Sequence, residues 1–164
     1  MRRVMSPTRL DRAAAVARIE SSGDMGCVPC ALARSAEPLA ENDHAVAVLS
    51  RYPVRWGHTL IVLRQHLTSL DAVSPEIWAG ASALAHASGR ALERALAPNR
   101  CYVAALGTGV SGLPMSFPHL HLHVIPVAPD ARPSEVLTWR DGVFDGTTEE
   151  WAELRGLVLG AWPG

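Results

Sequence analysis

No apolar run in this chain approaches the ~20 residues that a membrane-crossing helix needs, so no spanning segment is expected. Blocks of like charge are also missing, and the net charge is −1 at pH 7. That argues against a binder of nucleic-acid polymers and against a polybasic membrane-surface protein. A small anionic ligand stays compatible, because a few local donors can hold one. Cysteine is scarce: Cys27, Cys30 and Cys101 only. An odd number with one close pair argues against a disulfide framework and suits a reducing compartment, with the pair available for metal or redox chemistry. The stretch MRRVMSPTRLDRAAAVARIE has basic residues but no continuous apolar segment after them. It does not read as a secretory signal, and a cytoplasmic location is expected. No internal repeat is visible.

What is present suits a folded domain. The chain has 164 residues, of which 48% are apolar and 19% charged, enough to bury a core. Residues 7 to 20 place Leu10, Ala14, Ala17 and Ile19 roughly on one side and read as a helix. AVAVLS (45–50) and GHTLIVL (57–63) read as two strands of an antiparallel pair, separated by RYPVRWG (51–57). The clearest helix runs from Ser74 to Ala97. Ser74 suits an N-cap, Pro75 the first helical position, Glu76 the positive end of the dipole, and Pro98 follows the end. CYVAAL (101–106) and LHLHVIPV (120–127) are further strands, flanking a Gly/Ser/Thr/Pro-rich loop at 107–118. Residues 128–146 read as irregular, and TTEEWAELRGLVLGAW (147–162) as a closing helix capped by Thr147 or Thr148. Short strands without βαβ alternation predict an α+β fold with a largely antiparallel sheet. Cys101 reads as a core residue, His86 as a surface or packing residue of the long helix, and His44 as part of a polar turn.

The strongest signal is HLHLHVIP (119–126), which holds three of the seven histidines at every second position. On a strand those imidazoles share one face while Leu120, Leu122 and Val124 pack on the other. Three crowded rings cannot all be protonated cheaply, so at least one is expected to be neutral near pH 7, as a metal ligand or nucleophile must be. Cys27-x-x-Cys30 has the spacing of half a zinc site. Reduced structural cysteines or a redox pair are the other readings of that spacing. The run Gly107-Thr108-Gly109-Val110-Ser111-Gly112 offers hydroxyls and flexible backbone N–H groups that suit a phosphate cradle.

HLHLHVIP resembles the His-x-His-x-His signature of the histidine-triad (HIT) superfamily of nucleotide hydrolases and transferases. CVPC resembles the CxxC near the start of many bacterial members, and WGHTLIVLRQH (56–66) resembles the family's GHxLVIPKxH stretch. The resemblance covers roughly residues 26 to 127. It implies an α+β HIT fold with about five antiparallel strands and a long helix, a usual sheet size. A single domain over 1–164 is expected, with 1–25 as an N-terminal extension and 128–164 as a tail containing a helix. It further implies nucleotidyl transfer. His121, the middle triad member, would attack the α-phosphorus through a neutral ring nitrogen, with its other nitrogen donating to a backbone carbonyl. His123 and His58 would line the site, and Ser116 would contact the phosphate or leaving group. Ser50, Thr108, Ser111, Met115 and His119 fall at nucleotide- or phosphate-binding positions. The zinc ligands of relatives map onto Cys27, Cys30, His66 and His119, implying a structural Zn²⁺. A homodimer acting on a small nucleotide or nucleotide conjugate is the implied assembly and substrate class.

Several positions depart from the family pattern. Met115 stands where many members have a glutamine, and it cannot donate a hydrogen bond. Ser50 stands in place of a ribose-binding aspartate, Thr108 in place of an asparagine, and Val127 in place of an arginine. These changes point to an altered substrate or leaving group, with a nucleotide-binding or regulatory protein of weakened catalysis as the rival reading. A hydrolase using the histidines as catalytic zinc ligands is a second rival. Val46, Val48 and Leu63 are the apolar residues expected near a base.

Overall fold

The computed structural model describes residues 6–22, 26–34, 37–106, 117–129 and 142–164. The chain runs β1 (Thr8–Leu10), α1 (Arg12–Ser21), α2 (Val28–Leu32), β2 (Ala40–Glu41), β3 (Ala45–Leu49) and β4 (Thr59–Leu63). A short 3₁₀ turn at Leu70–Ala72 leads to α3 (Pro75–Leu96), followed by β5 (Arg100–Ala104), β6 (His121–Val127), β7 (Val143–Asp145) and α4 (Thr148–Gly160). Five strands form one antiparallel sheet in the order β2-β3-β4-β6-β5, as an α+β HIT fold requires.

The long helix forms where its start signals lie. Ser74 Oγ accepts from Ile77 N–H at 3.3 Å, Pro75 opens the first turn and Glu76 follows. Ala97 ends it in the left-handed region at φ 47°. The buried stripe Ile77, Ala81, Leu84, Ala85, Ser88, Ala91 and Leu92 recurs at helical spacing and lies on one face of the sheet. That face supplies Ala45, Ala47, Ile61, Leu63, Leu122 and Val124. Each fully buried Leu, Ile or Val there contributes roughly 1.5–3 kcal/mol relative to exposure. Cys101 packs against this cluster.

The alternation of β-structure sends the next residues the other way. Val46 pairs with Val62, Val48 with Leu60, Leu60 with His123 and Val62 with His121. Val46, Val48, Leu60 and Val62 therefore share the histidine face, where Val28, Leu32 and Ala33 of the α2 segment cover them together with Phe117. Leu63 does not join them. It lies on the helix face in the main core, so it cannot contribute to a base pocket beside the triad.

Two local expectations change. Residues 8–10 are a strand, and the helix begins only after Asp11, whose carboxylate accepts from Ala14 N–H at 2.8 Å. The irregular stretch before the last helix contains β7, which pairs with β1 in a separate antiparallel ribbon. Neither strand exceeds three residues, too short for a period-2 pattern to register. Gly142, at φ +86°, makes the ribbon feasible: a Cβ there would meet Leu10 O at 1.8 Å. Helix α4 starts at a capping box, with Glu150 N–H donating to Thr147 Oγ1 at 3.2 Å and Thr147 N–H donating to Glu150 Oε2 at 3.0 Å.

Candidate active site and metal centre

His119 sits just before β6 and is fully buried. Its Nε2 lies 2.8 Å from Leu63 O, and a carbonyl can only accept, so Nε2 carries the proton. The bare Nδ1 faces the thiols, 3.4 Å from Cys27 Sγ and 3.1 Å from Cys30 Sγ. Cys30 Sγ is also 3.2 Å from His66 Nδ1. The four ligand atoms all lie within 4.8 Å of one another. CVPC achieves this because Cys27 is the N-cap of α2, its sulfur accepting from Cys30 N–H at 3.4 Å, which places both thiols at the same helix end.

The donor set fits a metal. Ideal zinc bond lengths imply ligand-to-ligand separations of roughly 3.3–3.8 Å around a tetrahedron. The observed sulfur-to-nitrogen distances of 3.1–3.4 Å lie close to that range. Two thiols and two imidazoles, with the His119 proton held on the far nitrogen by Leu63 O, suit a closed, structural type of site. Burial pushes the Cys27 thiol up against the opposing hydrogen bond from Cys30 N–H, with the Cys30 side chain adding to the rise, so the protonated thiol is favoured until a cation draws the proton off.

The next two triad residues lie within β6. His121 Nδ1 is 2.7 Å from His119 O, so that nitrogen is the donor and Nε2 is left without a proton. His123 is beside it, with ring centroids 4.7 Å apart. His58 closes the row: its Nε2 is 3.0 Å from His123 Nδ1, and its Nδ1 accepts from Val54 N–H at 3.3 Å. Burial pushes all of these imidazoles below their ordinary value. His58 falls well below it, with His123 and His121 adding repulsion, and His123 falls to about 3 through burial and His121. His121 is lowered by burial although its bond to His119 O opposes this, and His119 is lowered likewise. Near pH 7 the row is neutral, and His121 Nε2 has a free lone pair.

The arrangement brings together His58, His119, His121 and His123, and separately Cys27, Cys30, His66 and His119. His119 belongs to both. Its side chain faces the thiols while its backbone carbonyl orients His121, so the positions of the ligand cluster and of the His121 ring are not independent. Ser50 directly follows β3. Its Oγ accepts from Tyr52 N–H at 3.3 Å and its N–H donates to His58 O at 2.9 Å. Thr108, Ser111, Met115 and Ser116 lie outside the described residues, as does the Gly107–Gly112 run. His44 packs on Gly80 of α3, and His86 is exposed on α3, away from the row. The groove that His86 lines with Trp78, Ser82 and Val103, about 310 Å³, lies between α3 and β5 on the helix side of the sheet. Sequence reasoning missed the backbone partners: the carbonyl of Leu63 and the N–H of Val54. Neither has a side-chain signature.

Residues 34–130 match the HIT domain family model. This chain belongs to the HIT domain family. Two curated HIT-domain relatives are uncharacterized HIT-like proteins. One, from Mycobacterium tuberculosis, is 30% identical over 105 residues, covering 62% of this chain and 72% of its own length. The other, from Mycoplasma pneumoniae, is 28% identical over 111 residues, covering 65% and 75%. Among solved structures, a Zn-bound histidine triad family protein from Mycobacterium smegmatis superposes with a TM-score of 0.60 at 26% identity, covering 84% of this chain and 96% of its own. A hypothetical histidine triad nucleotide-binding protein from Sulfolobus tokodaii gives a TM-score of 0.64 at 20% identity, covering 82% and 91%, and speaks for the shared fold.

Proposed function

We propose that this HIT-domain protein is a nucleotide phosphohydrolase or nucleotidyltransferase that works through a nucleotidyl-histidine on His121. The observation that carries this reading is the 2.7 Å bond from His121 Nδ1 to His119 O, which leaves Nε2 unprotonated among neutral neighbours. The Nε2 lone pair attacks the α-phosphorus, a P–N bond forms, and the bond from phosphorus to the leaving group breaks. The leaving group departs with the electron pair and takes up a proton. Water or another acceptor then attacks phosphorus, loses its proton, and the P–N bond breaks, returning the lone pair to Nε2. His123, whose Nδ1 is engaged by His58, presents its own N–H from Nε2 and is placed to donate to phosphate oxygens. Ser50 and Ser116 are the candidate hydroxyls for sugar and leaving group, and Thr108 and Ser111 for phosphate. Nucleoside phosphoramidates, dinucleoside polyphosphates and nucleotide–metabolite conjugates are the substrate classes.

In the same reading Cys27, Cys30, His66 and His119 hold a structural zinc. The zinc in the M. smegmatis relative and the spacing of the four ligand atoms support it. Its role is to tie α2 to the start of β6. The protein is also proposed to pair with a second copy of itself. Nothing among the described residues pairs with the outer side of β5, and Trp78, Val103 and Leu106 are exposed at or beside it.

A second reading is a nucleotide-binding or regulatory protein with weak or lost catalysis. Met115 supplies no donor, and Ser50 Oγ already accepts one hydrogen bond. Intact-mass measurement after quenching with a panel of nucleotide substrates separates the two. A nucleotide adduct on the native protein, absent in His121→Ala, is expected. Neither adduct nor released nucleotide from any member of the panel would leave the binding reading. A hydrolase using catalytic zinc would instead form no adduct and would lose nucleotide release at once on chelation, while the protein stays folded.

A further inference from the structure

The loop from Ser50 to Gly57 joins β3 to β4 and touches the histidine row through its backbone. Val54 N–H donates to His58 Nδ1 at 3.3 Å. A ring nitrogen that accepts is unprotonated, so the His58 proton lies on Nε2 and is donated to His123 Nδ1 at 3.0 Å. His123 must then carry its own proton on Nε2. One main-chain N–H thus selects the tautomer of two rings.

That loop is held by segments outside the 34–130 stretch that matches the family. The Tyr52 ring is buried with Ala15 of α1 and Val143 of β7, flanked by Leu10 and Ile19. Pro53 O accepts from Phe144 N–H at 2.8 Å. The Trp56 ring lies against Trp151 of α4, with centroids 4.4 Å apart, and over Gly146, where a Cβ would come within 2.7 Å of it. Phe144 stands opposite Arg9 in the β1–β7 ribbon. Its N–H points away from β1 and toward the loop, as it does at a non-hydrogen-bonded position of an antiparallel pair. The ribbon therefore spends its outer edge on Pro53, the residue next to Val54.

We propose that β1, α1, β7 and Trp151 form a positioning device for the histidine row, holding the 50–57 loop so that Val54 N–H fixes the tautomer of His58 and, through it, of His123. Phe144 and Tyr52 are its positioning residues. The inference rests on the proposed function only in treating these rings as part of a reactive site. With the donor displaced, His58 Nδ1 is free to take the proton. Nε2 would then face His123 Nδ1 as a second acceptor, so the two rings must exchange tautomers together or separate.

The test is the nitrogen-15 spectrum of the imidazoles in full-length labelled protein, which needs no substrate. In the native chain His58 and His123 should each show a bare Nδ1 and a protonated Nε2. Phe144→Pro deletes the donor to Pro53 without removing a bond to β1. Tyr52→Leu loosens the plug by a second route. Glu41→Ala, which removes the exposed Arg64–Glu41 pair at 2.6 Å on elements outside the device, is the control. The expected result is that His58 Nδ1 and Nε2 shift toward a common, averaged position in Phe144→Pro and Tyr52→Leu, and stay native in Glu41→Ala. Native signals in both folded variants overturn the proposal, as do equal shifts in the control. If Phe144→Pro does not fold, Tyr52→Leu decides alone. Absence of a nucleotide adduct on native protein would count against the reaction and leave this readout unaffected.

Discussion

His119 serves two structures with different atoms, and substitutions should separate them. His119→Cys keeps a ligand of the right type and keeps the backbone carbonyl. We expect it to retain about one zinc per chain by metal analysis and to retain adduct formation on His121. His119→Ala removes a ligand and should weaken zinc by more than the ~10–100-fold typical of altering a ligand's supporting partner. The buried imidazoles also set a pH dependence. The folded values of His58 and His123 lie below the ordinary one, that of His123 at about 3, so the unfolded chain binds more protons between roughly pH 6.5 and 3. Their contribution is fully present above about pH 6.5 and is lost as pH falls toward about 3. Chemical denaturation at pH 7 and pH 5 should show a lower midpoint at pH 5. An unchanged midpoint would mean that the rings titrate as exposed histidines.

At the scale of elements, the capping box of α4 gives a sharp expectation. Thr147→Ala loses the acceptor for Glu150 N–H and should cost ~1 kcal/mol, a fall in Tm of ~2–4 °C for a chain of this size. Calorimetry checks it, and Thr147→Ser should restore most of the loss. Elements of this kind were legible in the sequence because their signals are local: Ser74-Pro75-Glu76 for α3, Thr147 or Thr148 for α4, short apolar runs for β3 and β4, alternation for β6. The metal cluster was legible through the family resemblance, since residue type and spacing gave only Cys27 and Cys30. The β1–β7 ribbon was not legible. Its strands are three residues each and find one another across more than a hundred residues, a pairing no local pattern encodes. The acceptor at Leu63 and the donor at Val54 were hidden for a different reason, because every residue type except proline offers the same backbone groups.

For the molecule as a whole, the sheet is the organising surface. One face carries α3 and the core, the other carries the histidines, and a single register decides which residues go where. A one-residue slip of β6 against β4 would bury the imidazoles under α3 and expose Leu122 and Val124. The proposed pairing of two copies belongs to this scale. Val103 is 55% exposed on β5, so Val103→Asp costs the isolated chain little. Light scattering should show native protein at twice the chain mass and the variant at the chain mass, and a native monomer would refute the pairing. The two sides of the sheet are unequal in a way that bears on assembly. One margin is the five-residue β5 and the other is the two-residue β2, whose Ala40–Glu41 backbone is too short to template another strand. Joining two copies along β5 consumes the only long margin each has among its described residues. Under the proposed pairing growth would stop after one step, and the shortness of a strand at the opposite end of the sheet would guard the chain against filament formation.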